Sequence, residues 1–196
     1  MQPPNSFGPT LETARLILRP PARQDFDALA DILSDAETMR FLGGPLERPA
    51  AWRNFESLFG GWALLGFGMF LVFDKDSGTL VGRVGPLKPE GHPGPEVGWI
   101  IRRSCWRRGY AKEAATVCLD YVFDTLGWTH VVHCIAAENQ SSIGLARHLG
   151  SVRIGETDLP PPLQHVHLDV YSQARDDWRA RRKIVSPQTR RAYSPE

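Results

Sequence analysis

A basic turn around one glycine is the part of this sequence whose residues could do chemistry. Residues 102–112 contain five arginine or lysine side chains around Gly109, between an apolar run at 96–101 and a helical pattern at 110–126. A helix N-terminus presents unpaired backbone N–H groups with a partial positive charge, and glycine lets the chain approach a phosphate closely. The cations add long-range attraction for an anion. The segment is therefore a candidate phosphate-binding turn, although a run of charges is also typical of a solvated surface.

The elements that must position this turn follow from apolar periodicity. Alternating or short apolar runs rich in β-formers predict strands at 13–19, 69–73, 79–84, 96–101, 131–136 and 166–170. Helical spacing predicts helices from Arg23 to Leu33, over 50–59, over 110–126 and over 142–149. Gly127 and Gly150 are the C-caps expected for the last two helices. The order of the elements predicts one α/β (α+β) domain.

Length, charge and cysteine usage narrow the class of protein. The 196 residues fit a single domain, which we place at 10–182 between a flexible N-terminus (1–9) and a basic, flexible C-terminal tail (183–196). Residues 1–174 hold 16 basic and 19 acidic side chains, a net charge of −3, so we do not expect a nucleic-acid partner. Three widely spaced cysteines predict neither disulfides nor zinc. No secretory signal is recognised, and the nearly uncharged stretch 60–73 is too short to span a bilayer, so we expect a cytoplasmic protein without membrane contact.

The basic turn resembles the acetyl-CoA-binding turn of GNAT N-acetyltransferases, which reads Q/R-x-x-G-x-G/A. Here it reads Trp106-Arg107-Arg108-Gly109-Tyr110-Ala111, with Trp106 in the place of the Gln or Arg and Arg107 in a place that often holds Gly. Other segments are similar to the ribosomal-protein (RimJ/RimL-like) branch of that superfamily: 13–19, 80–85, Asn139 to Ser142, and Leu149-Gly150. The resemblance covers residues 12–178.

This resemblance implies a fold and a cofactor. The GNAT fold is a single mixed, mostly antiparallel sheet of about seven strands flanked by about four helices. It splays between its fourth strand, here 96–101, and its fifth, here 131–136. Acetyl-CoA is the implied acyl donor, with its pantetheine arm lying like an extra strand along Ile100 and Ile101, and with Asn139, otherwise a turn residue, holding the arm. The implied pyrophosphate contacts are Trp106, Arg107, Arg108, Gly109, Tyr110, Ala111 and Lys112.

Acetyl transfer to an amine requires a base for the amine and a proton donor for the departing thiolate. Glu96 is the predicted base; the alternative is an ordinary carboxylate at a strand end, with Glu138 or water as the base. Ser142 is the predicted acid, because Ala146 occupies the position where many GNAT enzymes carry a tyrosine. The alternative role for Ser142 is the N-cap of a helix over 142–149.

The predicted function is an acetyl-CoA-dependent N-acetyltransferase acting on a primary amine, either a protein N-terminus or a small molecule. The alternative is a non-catalytic CoA-binding regulatory module, and nucleic-acid binding ranks last. The superfamily also admits a homodimer. We expect no metal, because packed or solvated positions suit the histidines better than ligand positions do; these are His130, His133, His148, His165 and His167. Aromatic residues at helical spacing are expected in the core, namely Trp52, Phe55, Phe59 and Trp62.

Overall fold

An eight-stranded sheet organises the residues that the computed structural model describes, 7–160 and 166–185. Its strands are β1 (Leu11–Glu12), β2 (Leu16–Arg19), β3 (Phe70–Asp74), β4 (Leu80–Leu87), β5 (Glu96–Ile101), β6 (His130–Ala136), β7 (Val152–Thr157) and β8 (Leu168–Ala174). The helices are α1 (Phe26–Leu33), α2 (Ala36–Met39), α3 (Arg48–Leu65), α4 (Tyr110–Asp120), α5 (Gln140–Leu149) and α6 (Arg175–Val185). Within the described ranges, no helix combines the length and the apolarity needed to cross a membrane.

The sheet is mixed and mostly antiparallel. Its strand order is β1-β2-β3-β4-β5-β6-β8-β7. Neighbouring strands are antiparallel except for β5 and β6, which are parallel. β3 and β4 form the predicted hairpin, and the Asp74 carboxylate accepts the Ser77 N–H at 2.9 Å in the connecting turn. The predicted fold class is confirmed, with eight strands among the described residues instead of about seven.

β5 and β6 separate almost as soon as they pair. Val132 N–H donates to the Pro95 carbonyl at 2.9 Å, and Glu96 opposite Val132 is the single register pair between the two strands in the described part of the chain. β6 pairs instead with β8 along its whole length. The predicted splay is confirmed, and no strand of the described ranges neighbours the β6-facing edge of β5 beyond Val97.

Alternate residues of β5 pack on opposite faces of the sheet. Val97 and Ile101 belong to the core under α4, where Ala114 and Ala115 are fully buried. Ile100 belongs to the core on the other face, under α1 and α3. Small side chains let α4 approach the sheet closely, which sets its N-terminus at the carboxyl end of β5.

The aromatic side chains of α3 lie in the core, as predicted. Phe55 and Trp62 are buried, and Trp52 and Phe59 pack against the cluster that contains Phe55. The Trp62 indole N–H donates to the Met69 carbonyl at 3.1 Å. This bond ties the end of α3 to the start of β3 and satisfies a buried polar group.

Several predicted boundaries were wrong. The first strand, predicted over 13–19, is confined to Leu16–Arg19, because the Thr13 hydroxyl accepts the Leu16 N–H at 2.9 Å and forms a local turn. The helix predicted over 110–126 ends at Asp120 and continues as one turn of π-helix. The helix predicted over 142–149 begins two residues earlier, at Gln140.

β7 and α6 were not predicted from the sequence. β7 is an edge strand whose Val152 and Ile154 are exposed, so it lacks the buried alternation that marks a strand. α6 has a basic composition typical of a tail, yet Trp178 is buried and its indole N–H donates to Asp120 at 2.9 Å. Of the predicted tail, residues 183–185 belong to α6, and residues 186–196 lie outside the described ranges.

We predict that Gly82→Ala destabilises the sheet. A β-carbon at Gly82 would lie 2.1 Å from the Ile100 carbonyl oxygen on β5, and a backbone atom cannot move away without disturbing strand pairing. Overpacking of this kind costs about 1–3 kcal/mol, which thermal unfolding followed by circular dichroism measures.

Gly144→Ala on α5 is the matched control. A β-carbon there meets no atom within 4 Å, and alanine favours a helix by about 1 kcal/mol relative to glycine. The control should keep or raise the melting temperature. A wild-type melting temperature for Gly82→Ala would contradict the close packing of β4 on β5.

Candidate active site

The basic turn leads directly into the N-terminus of α4. Gly109 has φ +79°, a left-handed conformation that glycine adopts without steric cost, and α4 begins at Tyr110. The Glu113 N–H donates to the Gly109 carbonyl at 3.0 Å and closes the first helical turn. The amides from Tyr110 to Lys112 therefore precede the first intrahelical bond and are free to bind an anion.

Arg107 also has a left-handed backbone, with φ +60°, and it is the one non-glycine residue with positive φ in the described ranges. This conformation is costly for a residue with a β-carbon. It accounts for the glycine that the resembled motif often places here. Arg107 therefore differs from the motif's glycine in its side chain, while its backbone keeps the conformation that glycine favours.

Arg15 holds the turn from outside. Its Nη1 donates to the Arg108 carbonyl at 3.1 Å, its Nη2 lies 2.6 Å from Glu113 Oε2, and its guanidinium lies 4.7 Å from the centre of the Tyr110 ring. Burial acts to raise the pKa of Glu113, but hydrogen bonds from Thr13 and Arg15 outweigh it, so that this pKa is lowered. No sequence signal linked residues 98 positions apart, so these contacts were missed.

The five basic residues of the turn do not act together. Arg102 turns away, with its Nε donating to the Leu80 carbonyl at 3.2 Å and its Nη2 to the Ala28 carbonyl at 3.1 Å. Arg103 faces Asp35 at 3.9 Å. The other three, Arg107, Arg108 and Lys112, are exposed at the start of α4 and supply the positive field of the turn.

Side chains occupy part of the open edge of β5. The His133 Nδ1 lies 2.6 Å from the Val97 carbonyl oxygen, and the Trp106 indole N–H donates to the Ile101 carbonyl at 2.7 Å. Ile100 points its carbonyl the other way, toward Gly82 on β4. Of the two predicted pantetheine contacts, Ile101 thus turns its backbone to the splay and Ile100 does not. The backbone carbonyl of Trp99 faces the splay as those of Val97 and Ile101 do, because residues two apart on a strand present their carbonyls to the same side.

Trp99 and Ser142 meet across one face of the splay. The Trp99 indole N–H donates to Ser142 Oγ at 3.2 Å, which leaves the serine proton available to another acceptor. The Trp99 ring lies 5.0 Å from the imidazole of His133. Burial lowers the pKa of His133, so its ring is neutral and its Nδ1–H is the donor to Val97.

Asn139, not Ser142, caps α5. The Asn139 Oδ1 accepts the Ser142 N–H at 3.2 Å and the Ser141 hydroxyl at 2.9 Å. The alternative reading of Ser142 as an N-cap was therefore wrong, because the helix begins earlier than predicted. Asn139 has the local hydrogen bonding of a turn residue, and its side-chain NH₂ group remains a donor for a ligand.

Glu96 is buried on the opposite face, with 7% of its surface exposed. Its Oε2 lies 2.9 Å from His92 Nδ1, and its Oε1 accepts the Cys134 N–H at 3.3 Å. One ring nitrogen of His92, one carboxylate oxygen of Glu96 and the Cys134 Sγ all lie within 4.8 Å of one another. Burial and the nearby carboxylate raise the pKa of Cys134, which keeps it a thiol. His92 was missed because it stands in a Pro/Gly-rich loop without periodicity.

An apolar cluster adjoins the Glu96 face. Cys134 and Ala136 of β6 pack there with Phe41, which follows α2, and with Leu159 and Val166 from the connection between β7 and β8. Glu138, the alternative base named from the sequence, is exposed two residues after the end of β6. The splay therefore has two faces: one presents the Ser142 hydroxyl, and the other presents a buried imidazole–carboxylate pair beside an apolar wall.

Comparison with known proteins identifies the chain's relatives. The family described as acetyltransferase (GNAT) domain matches residues 15–152. The chain is similar to the crystal structure of an acetyltransferase from Agrobacterium tumefaciens, with 31% identity, a TM-score of 0.73, and coverage of 84% of this chain and 94% of that one. The uncharacterized protein YkkB of Bacillus subtilis is 33% identical over 87 residues, which are 43% of this chain and 51% of YkkB. The FsC-acetyl coenzyme A-N(2)-transacetylase of Aspergillus fumigatus is 27% identical over 185 residues, which are 87% of this chain and 78% of that protein.

We predict that Arg107→Gly stabilises the fold. A left-handed backbone costs a non-glycine residue about 1–2 kcal/mol, while glycine loses about 0.5–1 kcal/mol more in conformational entropy. The net gain should raise the melting temperature by a few degrees in a thermal scan.

Arg108→Gly is the control, because Arg108 is equally exposed and has no positive φ. It gains no relief of strain and should lower the melting temperature. The same change in both variants would mean that the backbone at Arg107 is not strained.

Proposed function

We propose an acetyl-CoA-dependent N-acetyltransferase reaction for this chain, which belongs to the GNAT acetyltransferase family. The observation that carries this proposal is the splay. β5 loses its partner β6 after one register pair, and the turn that follows β5 leads into the N-terminus of α4, whose first amides have no intrahelical partner. An extended amide arm that ends in a pyrophosphate matches both features, since the arm can add to a strand edge and the phosphates can bind helix amides.

The cofactor contacts follow from this match. The amides of Gly109, Tyr110, Ala111 and Lys112 would hold the pyrophosphate, with the exposed side chains of Arg107 and Arg108 adding charge. The pantetheine arm would lie along the backbone of Trp99 and Ile101, beside the Trp106 side chain that binds the Ile101 carbonyl. The side-chain amide of Asn139 would contact the arm from the start of α5. Ile100 would contribute packing from the other face. The Aspergillus relative carries acetyl coenzyme A in its name, which supports the same donor.

The two faces of the splay would supply the two proton transfers. The pair formed by Glu96 and His92 serves as the base and delivers a neutral amine. The amine nitrogen attacks the thioester carbonyl carbon and forms the C–N bond. The nitrogen then loses its second proton to water, and the C–S bond breaks. The thiolate then takes the proton of Ser142, whose oxygen is held by the Trp99 indole and regains a proton from water.

The acceptor we propose is a primary amine attached to an apolar group. The apolar wall of Phe41, Leu159 and Val166 beside the base supports this class. A protein N-terminus, as in the ribosomal-protein branch that the motifs resemble, and a small apolar amine both fit it. The proposal therefore includes both kinds of acceptor.

An acetylation panel tests the function. The protein, acetyl-CoA and a set of peptides and small amines are incubated, and free thiol and acetylated products are measured by mass spectrometry. Acetylated amine with equimolar CoA is the expected result. Binding of acetyl-CoA without turnover of any amine would favour the non-catalytic CoA-binding module, and the absence of binding would overturn both.

We predict that Gly109→Ala weakens acetyl-CoA binding by about tenfold or more, because a β-carbon would enter the path of the phosphates at a positive-φ position. Isothermal titration calorimetry gives the dissociation constant.

Gly127→Ala is the matched control, with φ +71° and no atom within 4 Å of the added carbon. Both variants bear the same backbone penalty, about 1–2 kcal/mol, but the control should bind acetyl-CoA normally. Equal affinities in the two variants would place the phosphates elsewhere.

A second prediction concerns Ser142→Ala. Because Asn139 caps the helix, this change should leave the melting temperature within a few degrees while lowering kcat by about tenfold to a thousandfold. Steady-state kinetics with a good acceptor measures it. Ser141→Ala removes a neighbouring hydroxyl that bonds to Asn139 and should retain wild-type kcat. Equal rates for Ser142→Ala and Ser141→Ala would remove Ser142 from the mechanism.

A further inference from the structure

Glu96 and His92, the two residues proposed as the base, differ in how well they are placed to accept a proton. Glu96 is 7% exposed, and each of its carboxylate oxygens already has a donor: Cys134 N–H at Oε1 and the His92 ring at Oε2. A carboxylate held in this way is poorly placed to accept a proton directly from an amine that enters from solvent. It is well placed to fix an imidazole, since it meets His92 at Nδ1 and leaves Nε2 unengaged among the described residues.

We propose that His92 Nε2 is the catalytic base and that Glu96 is a positioning residue that acts through it. This inference rests on the proposed acetyltransferase function. The Nδ1–H bond to a buried carboxylate selects the tautomer whose lone pair is on Nε2, and the carboxylate stabilises the imidazolium that forms. A ring nitrogen with a free lone pair can accept a proton from an ammonium group within hydrogen-bond distance.

The surroundings of His92 support this assignment. Its side chain is 11% exposed, so the ring stands between the buried carboxylate and solvent. Two titratable groups of β6 lie close to this loop. The Cys134 thiol lies near Glu96 and His92, and the His130 Nε2 would lie 3.5 Å from a β-carbon at Gly94. The raised pKa of Cys134 keeps its thiol from competing for the proton.

The proton balance is complete. An ammonium substrate gives one proton to His92 Nε2, and the neutral amine attacks the thioester carbonyl carbon. The tetrahedral intermediate loses a second proton to water as the C–S bond breaks, the thiolate gains one from Ser142, and Ser142 regains one from water. The products are the acetylated amine, CoA thiol and one net proton, which leaves from His92 to water.

Chemical rescue separates the two residues. His92→Ala should lower kcat by about 100- to 10,000-fold, and added imidazole should restore part of it in a concentration-dependent way. His92→Gln should lose the acid limb of the pH–rate profile. Glu96→Gln should keep that limb, because the imidazole remains, and should not respond to added imidazole. His130→Ala is the matched histidine control and should behave as wild type.

The opposite pattern would overturn the proposal. If Glu96→Gln loses the acid limb while His92→Gln keeps both limb and rate, Glu96 is the base. If imidazole rescues no His92→Ala activity while acetyl-CoA affinity and melting temperature remain normal, the ring is not the proton acceptor. If the wild-type protein acetylates no amine, the acetyltransferase function itself is overturned. If the wild type is active and His92→Gln is equally active, only the role of His92 is overturned.

Discussion

Two parallel strands that share a single residue pair leave backbone groups that must find partners elsewhere. In this protein the pair is Glu96 with Val132, and the edge of β5 beyond it faces no strand formed by residues 7–160 or 166–185. Unpaired backbone groups away from water are costly, so side chains take their place. His133 engages the Val97 carbonyl, and Trp106 engages the Ile101 carbonyl. The site thus exists because the sheet is incomplete at one position.

The turn that we propose binds the pyrophosphate depends on a contact from the other end of the sheet. Glu113 lies in the first turn of α4, where its charge would repel a phosphate at short range. Arg15 neutralises it and also holds the Arg108 carbonyl. A partly exposed ion pair of this kind adds little to overall stability. Its effect is therefore local: it fixes the direction of a carbonyl and removes a negative charge from the anion site.

The fold was more predictable than the site. Periodicity and glycine caps gave β5 at its true bounds and the hairpin of β3 and β4, because these elements bury one face. Periodicity did not predict β7, because its apolar side chains are exposed. It did not predict α6 either, because the basic composition is typical of a tail although Trp178 is buried. At the site, motif residues within one turn could be found. Arg15 and His92 could not, since their roles depend on tertiary contacts that no spacing encodes.

The two aromatic caps also limit how a ligand can pair with β5. Val97 and Ile101 are four residues apart, about 13 Å along an extended strand. Their carbonyls are already bound to ring N–H groups. The Trp99 carbonyl lies between them with the same orientation, so it is the acceptor that this edge offers to an amide N–H. Because His133 is buried and Trp106 is already held by its hydrogen bond to Ile101, binding orders little more of the protein. The extended arm of the proposed cofactor would therefore pair with β5 at one residue, Trp99, and its reactive end would lie at the splay, where Ser142 and the pair of His92 and Glu96 lie on opposite faces.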